Sequence, residues 1–196
     1  MPVGGQERAE LLVLARGSVA CALDGQPRPE IGSVLRDLVE PRAAFVTVRR
    51  ARTGRLRGCR GECPARRSLP ECVRRVAVAA ALDDPRFSPV TRDELPALRF
   101  EISALTTPRP IRPEEVLVGT HGLLLYGETT LGLLLPQVPV EQGWDREAFL
   151  DGLCHKAGVP KGSWRSPQVS LRAFEAEVWA EEFNGSLAAV TATSPK

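Results

Sequence analysis

Twice in this sequence a pair of β-forming runs is separated by only a few turn residues, and connections that short force the paired runs to lie antiparallel. The first pair joins residues 43–48 to the run that begins at Leu56, with Thr53-Gly54 supplying the turn, and reads as a hairpin over residues 43–61. The second sets Leu123-Leu124-Leu125-Tyr126 and Leu131-Gly132-Leu133-Leu134-Leu135 on either side of Gly127-Glu128-Thr129-Thr130. Its runs are so apolar that both faces should be covered.

Helical spacing fills the intervals. Leu11, Leu14, Ala15, Ser18, Val19 and Ala22 form one stripe that stops at Asp24-Gly25. Leu69, Cys72, Val73, Val76, Ala77 and Ala80 form a second, which starts where Ser68 and Glu71 stand at capping-box spacing and ends before Asp83-Asp84-Pro85. A third runs through Phe149, Leu150, Leu153, Cys154 and Ala157, with Asp145 as N-cap and Gly158 as terminator. Residues 99–105 and 173–180 alternate as further strands, and a stiff proline-bearing connection spans residues 106–118. The pattern predicts an α+β protein with a largely antiparallel sheet flanked by helices. A length of 196 residues suits one core, or one core with a smaller lobe. Residues 184–196 are small and polar and are expected to fray as a flexible C-terminal tail.

Charge is nearly balanced, 26 Lys+Arg against 24 Asp+Glu, so no global field recruits nucleic acid or an anionic membrane. Five cysteines, an odd number without paired spacing, fit a reducing compartment. Cys59 and Cys63 lie within the broad zinc spacing, but no second Cys/His pair follows and only His121 and His155 are present, so no metal is expected. The N-terminus lacks a signal pattern and no apolar run approaches the ~20 residues of a membrane span, which predicts a cytoplasmic protein. Phosphate loops, nucleophile elbows and zinc-protease motifs are all absent from the sequence.

One stretch carries chemistry. In Leu56-Arg57-Gly58-Cys59-Arg60-Gly61 simple alternation puts Arg55, Arg57 and Cys59 on one face and Leu56 and Arg60 on the other. Arg57, roughly 7 Å away along the strand, would then favour the thiolate of Cys59. Gly58 and Gly61 clear side-chain bulk on both sides and mark a bulge or a close approach of a ligand or another backbone. The plainer alternative is a small buried cysteine beside a solvated arginine edge.

The sequence resembles the AMMECR domain family, whose bacterial members are called protein A of the AmmeMemoRadiSam system. The resemblance rests on Leu56-Arg57-Gly58-Cys59-x-Gly61, Asp84-Pro85-Arg86-Phe87, Glu94-Leu95 and Glu101-Ile102-Ser103. It continues through His121-Gly122-Leu123, Gly132-Leu133-Leu134-Leu135-Pro136-Gln137-Val138 and Glu141-x-Gly143-Trp144, in the family's order over residues 7–183. It implies one domain of two unequal lobes with the Cys59 segment facing the cleft between them, and no settled reaction or cofactor. It also implies two partners, a Memo-like protein related to non-haem iron dioxygenases and a radical S-adenosylmethionine (SAM) protein. Where the family usually carries Ile or Val this chain has Arg60, a charge that must reach solvent or a carboxylate.

Three functional readings follow. In the first, the protein is a small-ligand or small-anion binder or a thiol-dependent enzyme, in which Cys59 and His121 form an activated thiol pair in the cleft, with Arg57 or the Gly58 and Gly61 amides holding an oxyanion and Gln137, Glu141 and Trp144 lining the same space. Cys63 would be a resolving thiol. Against it, His121 can simply cap a hairpin, and Trp144 can be a plug. In the second the protein is a non-catalytic adaptor for its partners. The third is RNA binding through Arg49, Arg50, Arg52, Arg55, Arg57 and Arg60, which near-zero net charge and a single tyrosine disfavour.

Overall fold

The structure is a computed structural model and describes residues 2–182, so the tail at 184–196 lies outside the described residues. It opens with α1 (Gly5–Leu23), followed by the hairpin β1 (Ala44–Arg50) and β2 (Leu56–Glu62), then α2 (Leu69–Leu82) and β3 (Leu98–Leu105). From Thr106 the chain leaves this unit to build a second one. That unit contains β4 (Arg109–Pro110), the hairpin β5 (Gly122–Tyr126) and β6 (Leu131–Leu134), α3 (Gln137–Glu141), α4 (Arg146–Ala157) and β7 (Ser170–Phe174). A single residue, Glu175, then returns the chain to the first unit as β8 (Ala176–Ala180).

Among the described residues, four α-helices and two four-stranded sheets, ordered β2-β1-β3-β8 and β4-β7-β5-β6, make the fold α+β with every strand pair antiparallel. The smaller lobe is therefore one contiguous insertion, residues 106–175, between β3 and β8. The β-structure differs from the sequence reading in being two sheets, because the alternating run at 173–180 divides between them. Alternation continues through Glu175 unbroken, so period alone carries no sign of the change of sheet. The crossing is fixed by tertiary bonds: Thr106 N–H donates to Glu175 O at 2.8 Å, and Glu175 N–H donates to Thr106 Oγ1 at 2.9 Å.

The helical stripes predicted from spacing are the buried ones, except at Ala22 near the end of α1, which is exposed. Leu11, Leu14, Ala15 and Val19 of α1 and Val73, Val76, Ala77 and Ala80 of α2 pack on Val46, Val48, Phe100 and Ile102 of the first sheet. Each fully buried Val, Leu, Ile or Phe there contributes about 1.5–3 kcal/mol. Phe149, Leu150, Leu153 and Cys154 of α4 cover Leu123 and Leu125 of the second sheet. Asp145 caps α4 as expected, accepting from Ala148 N–H at 2.8 Å, and Gly158 closes it at φ 72°. The capping box expected at α2 does not form. Ser68 makes no side-chain cap bond, and Glu71 is held instead by Arg74, whose Nη2 reaches both carboxylate oxygens at 2.8 Å.

Where the two sheets meet, Leu105 and Phe45 of the first pack with Leu124, Phe174 and Leu133 of the second, together with Cys63. This contact covers only part of the sheet face that points away from α1 and α2. The remainder carries Cys59 and Glu101, both half-buried, Thr47, which is buried, and Val178, which is 51% exposed.

Candidate functional site

The strand bearing Cys59 is regular on one side of a single irregularity. Arg49 pairs with Leu56 and Val48 with Gly58, so Arg57 is an extra, unopposed residue. That bulge corrects the expectation that Arg57 shares the thiol's face. The Arg57 side chain, 6% exposed, grips Glu94 through Nε (3.2 Å) and Nη2 (2.9 Å). Its remaining bonds go to Ser88 O at 2.8 Å and Pro89 O at 3.2 Å. By alternation Arg49 follows Thr47 on the thiol's face and lies 3.8 Å from Glu101, and Arg86, paired with Asp84, is also within electrostatic reach of Cys59. Arg49 was legible only as one of several arginines, since the bulge that decides which of them faces Cys59 leaves no mark beyond two glycines.

Both glycines have steric reasons. A Cβ on Gly58 would meet the backbone oxygen of Ala80 at 1.9 Å, so the last turns of α2 rest directly on the strand. A Cβ on Gly61 would meet the Phe45 ring at 2.2 Å. The close approaches are therefore to the protein itself.

Asp84, read from sequence as part of a helix stop and of the Asp84-Pro85-Arg86-Phe87 stretch of the resemblance, anchors the outer edge of β2. It is 5% exposed, and its Oδ2 accepts from Cys59 N–H at 2.9 Å and from Arg86 Nη2 at 2.7 Å. Arg86 adds a second bond from Nε at 2.9 Å. These bonds, the Arg86 side chain first, hold the Asp84 carboxyl well below the usual carboxylate range. The Arg57 guanidinium likewise lowers Glu94. The thiol of Cys59 is half-buried and its hydrogen-bond partner is Thr47, whose Oγ1 lies 3.4 Å from Sγ.

His121 takes a different role. It is 5% exposed, and its Nδ1 accepts from Leu117 N–H at 3.2 Å, closing the turn that enters β5. Beside it Thr120, Gln137, Val140 and Glu141 line a groove of about 300 Å³ against Ala176 and Val178 of β8. Cys59 is on the opposite edge strand of the first sheet, three interstrand spacings or about 14 Å from β8. The structure thus gathers Gln137 and Glu141 in one groove with Thr120, the chain neighbour of His121, and gives Cys59 and His121 separate hydrogen-bond partners. Trp144 sits under α4, where a Cβ on Gly152 would meet its ring at 2.5 Å, as a packing residue of the smaller lobe. Arg60 is exposed, so the charge that replaces an apolar residue reaches solvent. Cys63 is packed between the sheets, and burial pushes its thiol up.

Among the described residues no group of three His, Cys, Asp or Glu side chains could hold a metal ion, and no helix is long and apolar enough to cross a membrane.

Comparison with known proteins gives this geometry a family. The model of the AMMECR1 family matches residues 12–179. The chain belongs to the AMMECR1 family. A protein of Methanopyrus kandleri is 38% identical over 186 residues, covering 90% of this chain and 89% of the relative. One from Aeropyrum pernix is 44% identical over 153 residues, covering 74% of this chain and 66% of its own length. The crystal structure of an uncharacterized protein from Pyrococcus horikoshii, 37% identical, superposes with a TM-score of 0.78 and covers 88% of this chain and 90% of its own. The AMMECR1 match takes in Arg57, Gly58, Cys59, Asp84 and Glu94 in one span.

Proposed function

We propose that this AMMECR1-family protein binds a small polar ligand in a cleft between its two sheets, on the open sheet face formed by Cys59, Thr47, Arg49 and Glu101. One observation carries the reading: four separate devices immobilise a single half-buried thiol. Asp84 holds its amide, the Arg57–Glu94 pair locks the strand two residues before it, Gly58 seats the strand on α2, and Gly61 lies against Phe45. Such rigidity beyond what an edge strand needs is what a preorganised binding floor requires. The Arg49–Glu101 pair supplies both signs of charge on the same sheet face. Whether the thiol only contacts the ligand or reacts with it is the finer choice. Without a base bonded to the sulfur, binding is the better supported of the two.

In this reading the protein is cytoplasmic, with five free cysteines, and works beside Memo-like and radical SAM proteins as the resemblance implies. The test is alkylation followed by mass spectrometry at neutral pH. Cys59 is expected to label faster than the other four, and a low-molecular-mass cell fraction should slow Cys59 alone. Uniform labelling, or a fraction without effect on Cys59, ends the reading.

A second reading, the adaptor, is favoured by one observation of its own. Leu117, Val118, Val140 and Val178 are all exposed around the groove at β8, and Glu141 is its charged lining residue. An extended partner segment carrying apolar and basic side chains would fit there. Co-purification with a Memo-like or radical SAM protein that is lost in Val178→Lys and kept in Cys59→Ser supports it; loss in neither variant overturns it.

A further inference from the structure

On the other side of β2 from the thiol, where the bulge directs Arg57, lies a cavity of about 340 Å³ that the reading above leaves unused. Its walls include Arg50, Arg55, Arg57, Phe87, Pro89 and Glu94. Three guanidinium groups therefore face one carboxylate. Arg57 neutralises Glu94 by itself, since it is buried and holds both carboxylate oxygens. Arg50 reaches the same carboxylate once, at 3.2 Å, from a side chain 51% exposed. An exposed contact of that kind is weak and easily exchanged. Arg55 is exposed at the rim and has no carboxylate partner among the described residues. Two positive charges are thus in excess at the mouth, in a chain whose net charge is only +2. Beneath them Phe87 and Pro89 supply an apolar wall.

Guanidinium forks match phosphate oxygens two at a time, and a phosphate monoester carries the charge that would balance this mouth. The volume lies at the small end of ligand pockets and is suited to a single small molecule. We propose that this cavity binds a phosphorylated small molecule, its phosphate held by Arg50 and Arg55 and its apolar or aromatic part against Phe87 and Pro89. Buried Arg57 with half-buried Glu94 is the positioning element: it ties the start of β2, just after Arg55, to the loop that carries Phe87.

Titration calorimetry of the full chain with uridine monophosphate, inorganic pyrophosphate and uridine tests this. The expected order is the monophosphate tightest, pyrophosphate weaker, and no heat from uridine. Arg55→Glu should weaken the monophosphate about tenfold or more. Arg52→Glu changes net charge equally but lies on the hairpin turn outside the cavity, and should leave binding unchanged. Phe87→Leu should weaken the monophosphate and spare pyrophosphate. Equal losses in Arg52→Glu and Arg55→Glu would mean diffuse attraction and overturn the site. So would saturable binding confined to a single-stranded RNA oligonucleotide with steep salt dependence, or no saturable binding by any of the phosphates.

Discussion

The first sheet ends in two edges that the protein treats in opposite ways. At β2 the outward amide of Cys59 is taken by a buried carboxylate, a bulge interrupts the register, and α2 presses on a glycine. At β8 the odd-numbered residues point their backbone groups inward, as Thr106 N–H to Glu175 O and Glu181 N–H to Phe100 O show. Alternation then directs the N–H and C=O of Ala176, Val178 and Ala180 outward, and β8 is the last strand of its sheet. Charge, bulges and cover are how proteins keep strand edges from pairing with other chains. One edge here is closed by all three. The other is left open beside exposed valines, and the contrast separates a segment built to hold a side chain still from one able to accept a partner strand.

Substitutions can break or sharpen the contrast. The largest effect is expected at Gly58→Val: the obstacle is a backbone oxygen, so α2 must lift from the sheet, at a cost of about 3 kcal/mol in denaturant unfolding. A variant within 0.5 kcal/mol of the parent, to order of magnitude, would show that the closed edge is not rigid. Next is Asp84→Asn, which keeps an acceptor for Cys59 N–H but loses the charge facing Arg86, for about 1–3 kcal/mol.

That carboxyl also sets a pH dependence. Its folded pKa is depressed, so the stability it contributes is fully present above the unfolded value of about 4 and is lost as pH falls through the folded value. Glu94, also lowered, acts in the same direction. Unfolding followed from neutral pH down should show a fall in stability below about pH 4, shallower in Asp84→Asn; equal slopes would remove Asp84 as the cause.

At the open edge Val178→Lys should change stability by less than about 0.5 kcal/mol, since the side chain already meets water. Its effect should appear instead as reduced partner capture or self-association in sedimentation. Smallest of all is Arg60→Ile, expected within about 0.3 kcal/mol, because the guanidinium is exposed and makes no ion pair among the described residues. Labelling supplies a control for all four: burial pushes the Cys72 thiol up to about 11, so it should stay unmodified at neutral pH until the variant unfolds.

Local chemistry was legible where a residue's role depends on its near neighbours. The two hairpins, the stripes of α1, α2 and α4, and the Asp145 and Gly158 termini all follow from spacing within one element. The site was less legible because its geometry depends on distant partners. Nothing near Arg57 in sequence announces Glu94 as its partner, 37 residues on, and Asp84 looks like any acid before a proline. The motif glycines were read as marking a bulge or the close approach of a ligand or another backbone; at Gly58 it is the backbone of Ala80 that approaches, and at Gly61 the side chain of Phe45, which only packing reveals. The change of sheet at Glu175 escaped for the same reason, since a run that alternates perfectly carries no record of which neighbours it pairs with.

That crossing has a mechanical corollary. The inserted lobe is tied to the first by two chain passages, at Thr106 and at Glu175, and the passages are bonded to each other. Any swing of the insertion must pivot about this twin strap, which is continuous with β3 and with β8. Torque applied to the smaller lobe therefore reaches the open margin of the larger sheet through continuous chain, and the side that carries the thiol only through the packing of Phe45 and Cys63 between the sheets.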